Sequence, residues 1–467
     1  IREQPRSRGL GDVYKRQIIR TGRKEDSIMQ TSNDGTRRPV RLRFVGLVVV
    51  MVALCTEGSW VSAQQDATEQ LLAELTNAPG APGFEGPVRD ILKREWNGLL
   101  EELQTDGLGN LLGSLAGDAA RPRVLLMAHM DEVGFLVRYI DDDGFIFFNP
   151  VGGYFDQSVL TQRMTIMTPR GPVVGYTGFK SGHIHPADQR SEMIQQQDMF
   201  IDIGASSRAE AMDVFGIRPG LPITYRAEFE KLGNTGRYLA RAWDDRVGLA
   251  VITDAVKQLR NLSHPITVQV AATVQEEIGL RGAAVVYEST TPDIVINLEI
   301  GIAGDFPLLT SPKLSQEVLG EGPSIFVFDR SMIPNNNYVE WIIEQAEAND
   351  IPYQFESVTG YGQDASMLQQ SGTGIPTINI GIPTRYGHSP SGIIDRADYD
   401  HTVELIVQMV RALSAEEVRA LAANFSPSSA AAPGTADGGS MSIYNGRGTR
   451  VSVRAGEVQG RLLDIRG

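Results

Sequence analysis

Sulfur and imidazole groups are scarce in this sequence, which has one cysteine and six histidines among 467 residues. With Cys55 alone, the chain cannot form an internal disulfide framework or a cysteine-rich zinc site. Cys55 also lies in an apolar run near the N-terminus, away from the bulk of the chain. Any metal site must therefore use histidine, aspartate and glutamate side chains.

Positive charge is also limited, since the net charge is −14. Lysine and arginine outnumber aspartate and glutamate in residues 1–43. The net charge of residues 44–467 is therefore more negative than that of the whole chain. An acidic body argues against nucleic acid or an anionic membrane surface as the partner. The hydrophobic share of 42% and the charged share of 21% are ordinary for a globular protein, and the length suggests two or more domains.

Residues 29–63 have the layout of a secretory signal peptide. Basic TRRPVRLR precedes the apolar run FVGLVVVMVALC and a small-residue ending, VSA. This run is shorter than the roughly 20 residues of a membrane helix. We therefore expect cleavage, export to the periplasm or medium, and no stable membrane span afterwards; an uncleaved anchor is the alternative. Residues 1–28 precede Met29 and are interpreted as non-native upstream translation.

Helical and strand patterns alternate in residues 64–132 and 237–424. This alternation predicts one discontinuous α/β domain, whose mostly parallel sheet is covered by helices on both faces. Residues 133–236 instead show short alternating segments separated by glycine and proline, which predict an inserted β-rich domain. Residues 425–467 are interpreted as a flexible linker and a C-terminal tail.

Histidines and acids follow the predicted strands of the α/β domain. Because ligands bind beyond the carboxyl ends of strands in open α/β sheets, these side chains are expected to share one edge. Each has a structural explanation when taken alone, such as a helix cap or a solvated turn. Together they predict a metal site for Zn, Co or Mn, with two ions about 3.5–4 Å apart sharing one carboxylate. The residues are His129, Asp131, Asp244, Asp245, Glu276, Glu277, Glu299 and His388.

Six ordered segments carry a family resemblance: AHMDEVGF, IDIGASS, GIRPG, ARAWDDRVG, VQEEIGLRGA and IPTRYGHSP. From about residue 68 to 415 the chain resembles the tetrahedral (TET) glutamyl aminopeptidases, which are dinuclear metallo-aminopeptidases. The resemblance implies a helix-sandwiched sheet of the co-catalytic metallo-exopeptidase type. It also implies that the insert is a small β-barrel-like dimerisation domain, and that the chain forms a homo-oligomer, from dimer to dodecamer.

The resemblance further implies a role for each matching residue. His129 and Glu299 are expected to bind the first metal, Glu277 and His388 the second, and Asp244 to bridge them. Asp244 is expected to be joined to Asp245 by a cis peptide bond. Glu276 matches the general base, and Asp131 matches the acid that orients the His129 imidazole.

One departure from the family is Gln363, which stands where the family has threonine and leaves the matched metal ligands unchanged.

The resulting function is removal of N-terminal residues from peptides by a metal-activated water, with Glu276 as general base and two divalent ions as cofactors. Zinc is the expected metal, with cobalt or manganese as alternatives. One alternative function is an endoglucanase-type glycoside hydrolase with paired carboxylates. Another is a non-catalytic, peptide-binding relative. The two histidines at strand ends favour the metal-dependent reaction, and the presence of Glu276 favours catalysis.

Overall fold

A computed structural model describes residues 66–184, 186, 192–309 and 315–422, together with the backbone of residues 440–444 and 450–454. The predicted signal peptide at 29–63 and the upstream residues 1–28 lie outside the described residues, as does most of the predicted linker and tail. Within the described part of the chain, no helix is long and apolar enough to cross a membrane.

The helices are α1 (Ala67–Asn77), α2 (Gly86–Trp96), α3 (Arg208–Asp213), α4 (Trp243–Leu259), α5 (Ala283–Thr290), α6 (Asn336–Ala348), α7 (Ala365–Gln369), α8 (Arg396–Ala412) and α9 (Ala415–Ala422). The first strands are β1 (Glu101–Thr105), β2 (Leu111–Leu115), β3 (Ala119–His129), β4 (Gly134–Ile140), β5 (Ile146–Val151), β6 (Arg163–Thr168), β7 (Gly171–Thr177), β8 (Ile201–Asp202) and β9 (Pro222–Tyr225). The later strands are β10 (Glu230–Lys231), β11 (Arg237–Ala240), β12 (Ile266–Thr273), β13 (Ile294–Ile302), β14 (Ser324–Phe328), β15 (Gln354–Ser357), β16 (Thr377–Arg385), β17 (Gly392–Asp395), β18 (Ser440–Tyr444) and β19 (Arg450–Arg454).

One large sheet has the order β1-β2-β12-β3-β13-β16-β17-β11-β10, and β14 pairs with both β16 and β15. Its four central strands, β12, β3, β13 and β16, are parallel. The predicted α/β architecture is confirmed, but the sheet is mixed: β2, β14 and β17 pair antiparallel with the central strands. The antiparallel strands at both edges were not expected from the sequence.

Helices bury both faces of the central strands, which explains the nearly continuous apolar sequences of those strands. Val124 and Leu126 of β3 belong to the larger core, which also includes apolar side chains of α1, α2, α4, α6 and α8. Leu125 and Met127 point to the opposite face and pack in a smaller core with side chains of α5 and α7. From Val124 onward β3 therefore has no solvated face, and the buried polar end of the strand at His129 requires an explanation.

The inserted domain is a closed barrel of strand order β4-β5-β8-β7-β6-β9. Its core is centred on Phe135, whose ring makes edge contacts with Phe148, Tyr154 and Tyr225. The segment with β10 was grouped with the insert in the sequence analysis, yet β10 pairs with β11 of the large sheet. Since β4 begins five residues after the end of β3, the barrel starts beside the edge where the predicted site residues gather.

Candidate metal centre

The predicted site residues come from neighbouring strands that end at one edge of the large sheet. His129 is the last residue of β3, and Glu299 lies in the adjacent parallel strand β13. Glu276 and Glu277 follow β12, which flanks β3 on its other side, and His388 follows β16. The structure thus brings His129 Nε2 to 3.7 Å from Glu299 Oε2, and His388 Nε2 to 3.5 Å from Glu277 Oε1.

Asp244 lies between the two imidazoles. β11 ends at Ala240, Ala242 has a positive φ of 54°, and the peptide bond between Asp244 and Asp245 is cis. From this irregular start of α4, Asp244 Oδ1 lies 2.8 Å from His129 Nε2. Asp244 Oδ2 lies 2.9 Å from His388 Nε2. One carboxylate that contacts two imidazoles with different oxygens has the geometry of a bridging ligand.

Among the described residues, two triads offer ligand atoms that all lie within 4.8 Å of one another. The first half-site is defined as His129, Asp245 and Glu299, and the second as Asp244, Glu277 and His388. Asp245 belongs to the predicted strand-end set, but the resemblance assigns it no ligand role. Its carboxylate accepts hydrogen bonds from the N–H groups of His129 and Gly248, at 3.2 and 3.1 Å. Asp245 therefore also holds the start of α4 against the end of β3.

The candidate metal centre contains more buried carboxyl groups than imidazoles that could neutralise them. Burial raises the pKa of Glu276 and of Glu299 well above the usual range, and raises that of Glu277 to about 8. Burial acts in the same direction on Asp244, but its hydrogen bonds with both imidazoles lower its pKa instead. Carboxyl groups this close together ionise together only when positive charge lies among them.

The two histidines supply part of that positive charge. Although burial lowers the pKa of His129, the charge of Glu299 and contacts with Asp131 and Asp244 raise it well above the usual range. Burial also opposes the charged form of His388. The charge of Glu277, the hydrogen bond with Asp244 and a backbone hydrogen bond at Gly153 raise the pKa of His388 to about 10.

The residues present fit divalent cations. The donor set combines imidazole nitrogen with carboxylate oxygen, which suits zinc, cobalt or manganese. Glu277 Oε1 is buried and makes no hydrogen bond within the described part of the chain, so it has capacity for a ligand. Two dications would compensate the excess of buried carboxylates without further protein groups.

Asp131 holds the segment that carries Glu276 and Glu277. Its Oδ1 accepts a hydrogen bond from the N–H of Glu276 at 3.0 Å, and its Oδ2 accepts one from Glu277 at 3.1 Å. Its backbone carbonyl lies 3.0 Å from His129 Nδ1, whereas its carboxylate is 3.5 Å from that nitrogen. Asp131 therefore contacts the imidazole mainly through its main chain and the Glu276–Glu277 segment through its side chain.

Gln363, the departure from the family pattern, is buried outside the two half-sites. Its Oε1 accepts a hydrogen bond from Asn297 Nδ2 at 3.3 Å, and its Nε2 donates to Asp329. The neighbouring Asp364 accepts a hydrogen bond from Thr273, the last residue of β12. The substitution thus belongs to a buried polar network that supports the strand ends.

A loop of the barrel also reaches the centre. Gly152 lies beside Glu277, since a Cβ built on Gly152 would be 3.2 Å from Glu277 Oε2. No local sequence pattern pairs this loop with the glutamate, because the two are distant in the chain. The one sequence feature that could have indicated a close backbone approach here is the Gly152-Gly153 dipeptide.

Comparison with known proteins agrees with this geometry. A family model described as M42 glutamyl aminopeptidase matches residues 109–405. The chain belongs to this family. It is a metal-dependent aminopeptidase, and the resemblance inferred from its motifs is confirmed.

Three relatives illustrate the extent of the match. The TET aminopeptidase of the marine sediment archaeon Thaumarchaeota archaeon SCGC AB-539-E09 is 36% identical, with a TM-score of 0.73, covering 76% of this chain and 100% of that chain. The lysyl aminopeptidase of Pyrococcus furiosus is 31% identical over 350 residues, which are 74% of this chain and 97% of that protein. The Pyrococcus horikoshii TET1 peptidase, which can assemble into a tetrahedron or a large octahedral shell, is 30% identical with a TM-score of 0.67, covering 74% of this chain and 100% of that chain.

Proposed function

We propose that this M42 aminopeptidase hydrolyses the N-terminal peptide bond of peptides with Glu276 as general base beside two divalent ions. The observation that carries the proposal is the position of Glu276. It lies beside Glu277, belongs to neither half-site, and is held through its N–H by Asp131. Burial raises the pKa of its carboxyl group well above the usual range, while the charge of His129 lowers it, which places this carboxyl group close to the first half-site.

We assign one ion to the first half-site and one to the second, with Asp244 contributing to both. Zinc is the proposed metal, and cobalt or manganese could take its place. When bound, such ions supply Lewis-acid polarisation of the scissile carbonyl and lower the pKa of the attacking water.

The protein groups supply positioning and proton transfer. Glu276 accepts a proton from the attacking water and passes it to the nitrogen of the leaving amine, so that the same group acts as base and then as acid. Glu277 is positioned as a ligand because its own backbone N–H donates a hydrogen bond to the second carboxylate oxygen of Asp131. The adjacent glutamates therefore have separate tasks while sharing one support.

The activity is tested with aminoacyl-anilides before and after chelation, together with a soluble glucan. The anilide panel includes glutamyl and lysyl substrates, since the family description and one relative differ on this point. The proposal predicts anilide hydrolysis that chelation abolishes and added zinc restores, and an inert glucan. Chelator-insensitive glucan cleavage would instead support the glycoside hydrolase alternative. Metal binding without any turnover would support the peptide-binding relative.

We also propose that the chain forms a homo-oligomer through its barrel. Tyr139 is 43% exposed and stacks on Phe147 at a ring distance of 4.5 Å, and Tyr176 is 46% exposed on the same barrel. Such exposed apolar groups suit an interface. Light scattering should give a mass above that of the monomer. A Tyr139→Asp variant should lower this mass without loss of secondary structure, and a monomeric parent protein would contradict the proposal.

Export is proposed from the signal-like residues 29–63. The basic, apolar and small-residue segments occur in the order that signal peptidases recognise. N-terminal sequencing of the protein from its natural host should find a chain that begins near Gln64 in the periplasm or medium. An intact N-terminal segment in the cytoplasm would contradict this proposal and leave the enzymatic one unaffected.

A further inference from the structure

The barrel loop that follows β5 approaches the second half-site so closely that a side chain at Gly152 would be crowded. Gly152 has a φ of +90°, which glycine adopts readily and other residues rarely do. A Cβ at this position would lie 2.8 Å from Val133 Cγ1 and 3.2 Å from Glu277 Oε2. The absence of a side chain thus lets the loop backbone pack directly against the carboxylate of Glu277.

The same loop touches the other terminal ligand of the second half-site. The backbone of Gly153 hydrogen-bonds the imidazole of His388. A backbone partner restrains the imidazole ring, and the Nε2 atom of this ring faces Asp244 and Glu277.

The first half-site has a different support. His129 and Glu299 lie on adjacent strands of the large sheet, and Asp245 is held by the N–H groups of His129 and Gly248. The glycine loop therefore supports two ligands of one half-site, while the other half-site is held by the sheet and α4.

We propose that the glycine loop of the barrel is a positioning element for the second metal ion, which keeps Glu277 and His388 in place as ligands. The inference rests on the proposed two-ion function and deepens it, since it makes occupancy of one ion depend on the inserted domain. Gly152 and Gly153 are positioning residues, because they act through Glu277 and His388.

The test is calorimetric titration of zinc into the metal-free full chain, comparing the parent protein with Gly152→Ala. The first binding step should be unchanged, and the second should weaken by about 10- to 100-fold, the usual cost of disturbing an outer partner of a ligand. Gly171→Ala is the matched control. Gly171 also has a positive φ, of +117°, and lies in the same barrel, but its Cβ would meet no atom within 4 Å. The control should bind both ions as the parent does.

A second variant removes the closest side-chain crowding at Gly152. Val133→Ala deletes the methyl group that the new Cβ would meet at 2.8 Å, while leaving the 3.2 Å approaches to Glu277 Oε2 and to the backbone Cα of residue 133. Gly152→Ala combined with Val133→Ala should therefore fold and still bind the second ion weakly, relative to Val133→Ala alone. Normal binding of both ions by Gly152→Ala or by the double variant would overturn the inference only. A parent protein that binds fewer than two ions would overturn the two-ion proposal and this inference together.

Discussion

The Asp131 carboxylate accepts a hydrogen bond from the backbone N–H of Glu276, at an O–N distance of 3.0 Å. Its other oxygen accepts from the next N–H of the chain, at 3.1 Å. One buried carboxylate thus fixes the main chain of the proposed base and of the neighbouring ligand. The distance between the proposed base, Glu276, and the proposed metal ligand, Glu277, therefore depends on this pair of hydrogen bonds.

Asp131→Asn should lower kcat while leaving the fold intact. Asparagine keeps one acceptor oxygen but turns an NH2 group toward the second N–H donor, so one of the two bonds is lost. The expected decrease in kcat is about 10- to 100-fold, as for other groups that orient metal ligands. Steady-state kinetics and circular dichroism measure the two effects. Unchanged kcat would show that the paired bonds do not set the position of the base.

Glu276→Gln should separate catalysis from metal binding. Glutamine has nearly the same shape but cannot accept the proton, so kcat should fall by about 100- to 10,000-fold while both ions stay bound. Glu277→Gln is the matched comparison, and it should lose the second ion. Elemental analysis and anilide turnover of both variants are the measurements. Substantial turnover by metal-loaded Glu276→Gln would contradict the assignment of the base.

His388→Ala should weaken binding of one ion selectively. His388 contacts Asp244 and Glu277 in the second half-site. The imidazole of the first half-site is that of His129, which this substitution leaves in place. The second dissociation constant should rise by at least about 10- to 100-fold, and the first should stay close to that of the parent. His183→Ala, at an exposed position in the barrel, is the control. An unchanged metal count in His388→Ala would count against its role as a ligand.

A pair of carboxyl groups away from the centre should make stability depend on pH. Glu317 and Glu356 are buried against each other, with Asp398 nearby. Burial, followed by the charge of Glu356, raises the pKa of Glu317 well above 4.5, and burial raises that of Glu356. The folded chain then keeps a proton that the unfolded chain releases above its ordinary pKa, so the free energy of unfolding falls as pH rises.

Glu317→Gln cannot ionise and should lose less stability between pH 5 and pH 8 than the parent, by about 1–2 kcal/mol. Urea unfolding of the metal-free proteins at both pH values measures this difference. Glu344→Gln, at an exposed position of α6, should behave as the parent does. Equal losses in the parent and in Glu317→Gln would show that the buried pair does not hold the proton.

The parallel centre of the fold and part of the site were predictable because they follow from local patterns and one geometric rule. Apolar runs that end in polar residues predicted β3, β12 and β13, and neighbouring parallel strands share an edge. From this rule alone, His129 at the end of β3 is predicted to lie near Glu299 of β13. The same rule places Asp244 at the site, but its bridging role required the family resemblance, since the irregular helix start that positions it has no periodic signal.

The edges of the sheet and the barrel contact were not predictable in the same way. β2, with the sequence LLGSL, is a short apolar run of the kind that helices and strands share. β17 has only four residues and joins β16 to β11, a strand that is distant in the chain. The contact of Gly152 with Glu277 joins two domains, so it depends on tertiary packing.

The most direct test of the two half-sites is anomalous diffraction from crystals of the full chain grown with zinc. We expect two peaks, one among His129, Asp245 and Glu299 and the other among Glu277, His388 and Asp244, with Asp244 in reach of both ions. A single peak, or two peaks of which one lies outside these residues, would contradict it.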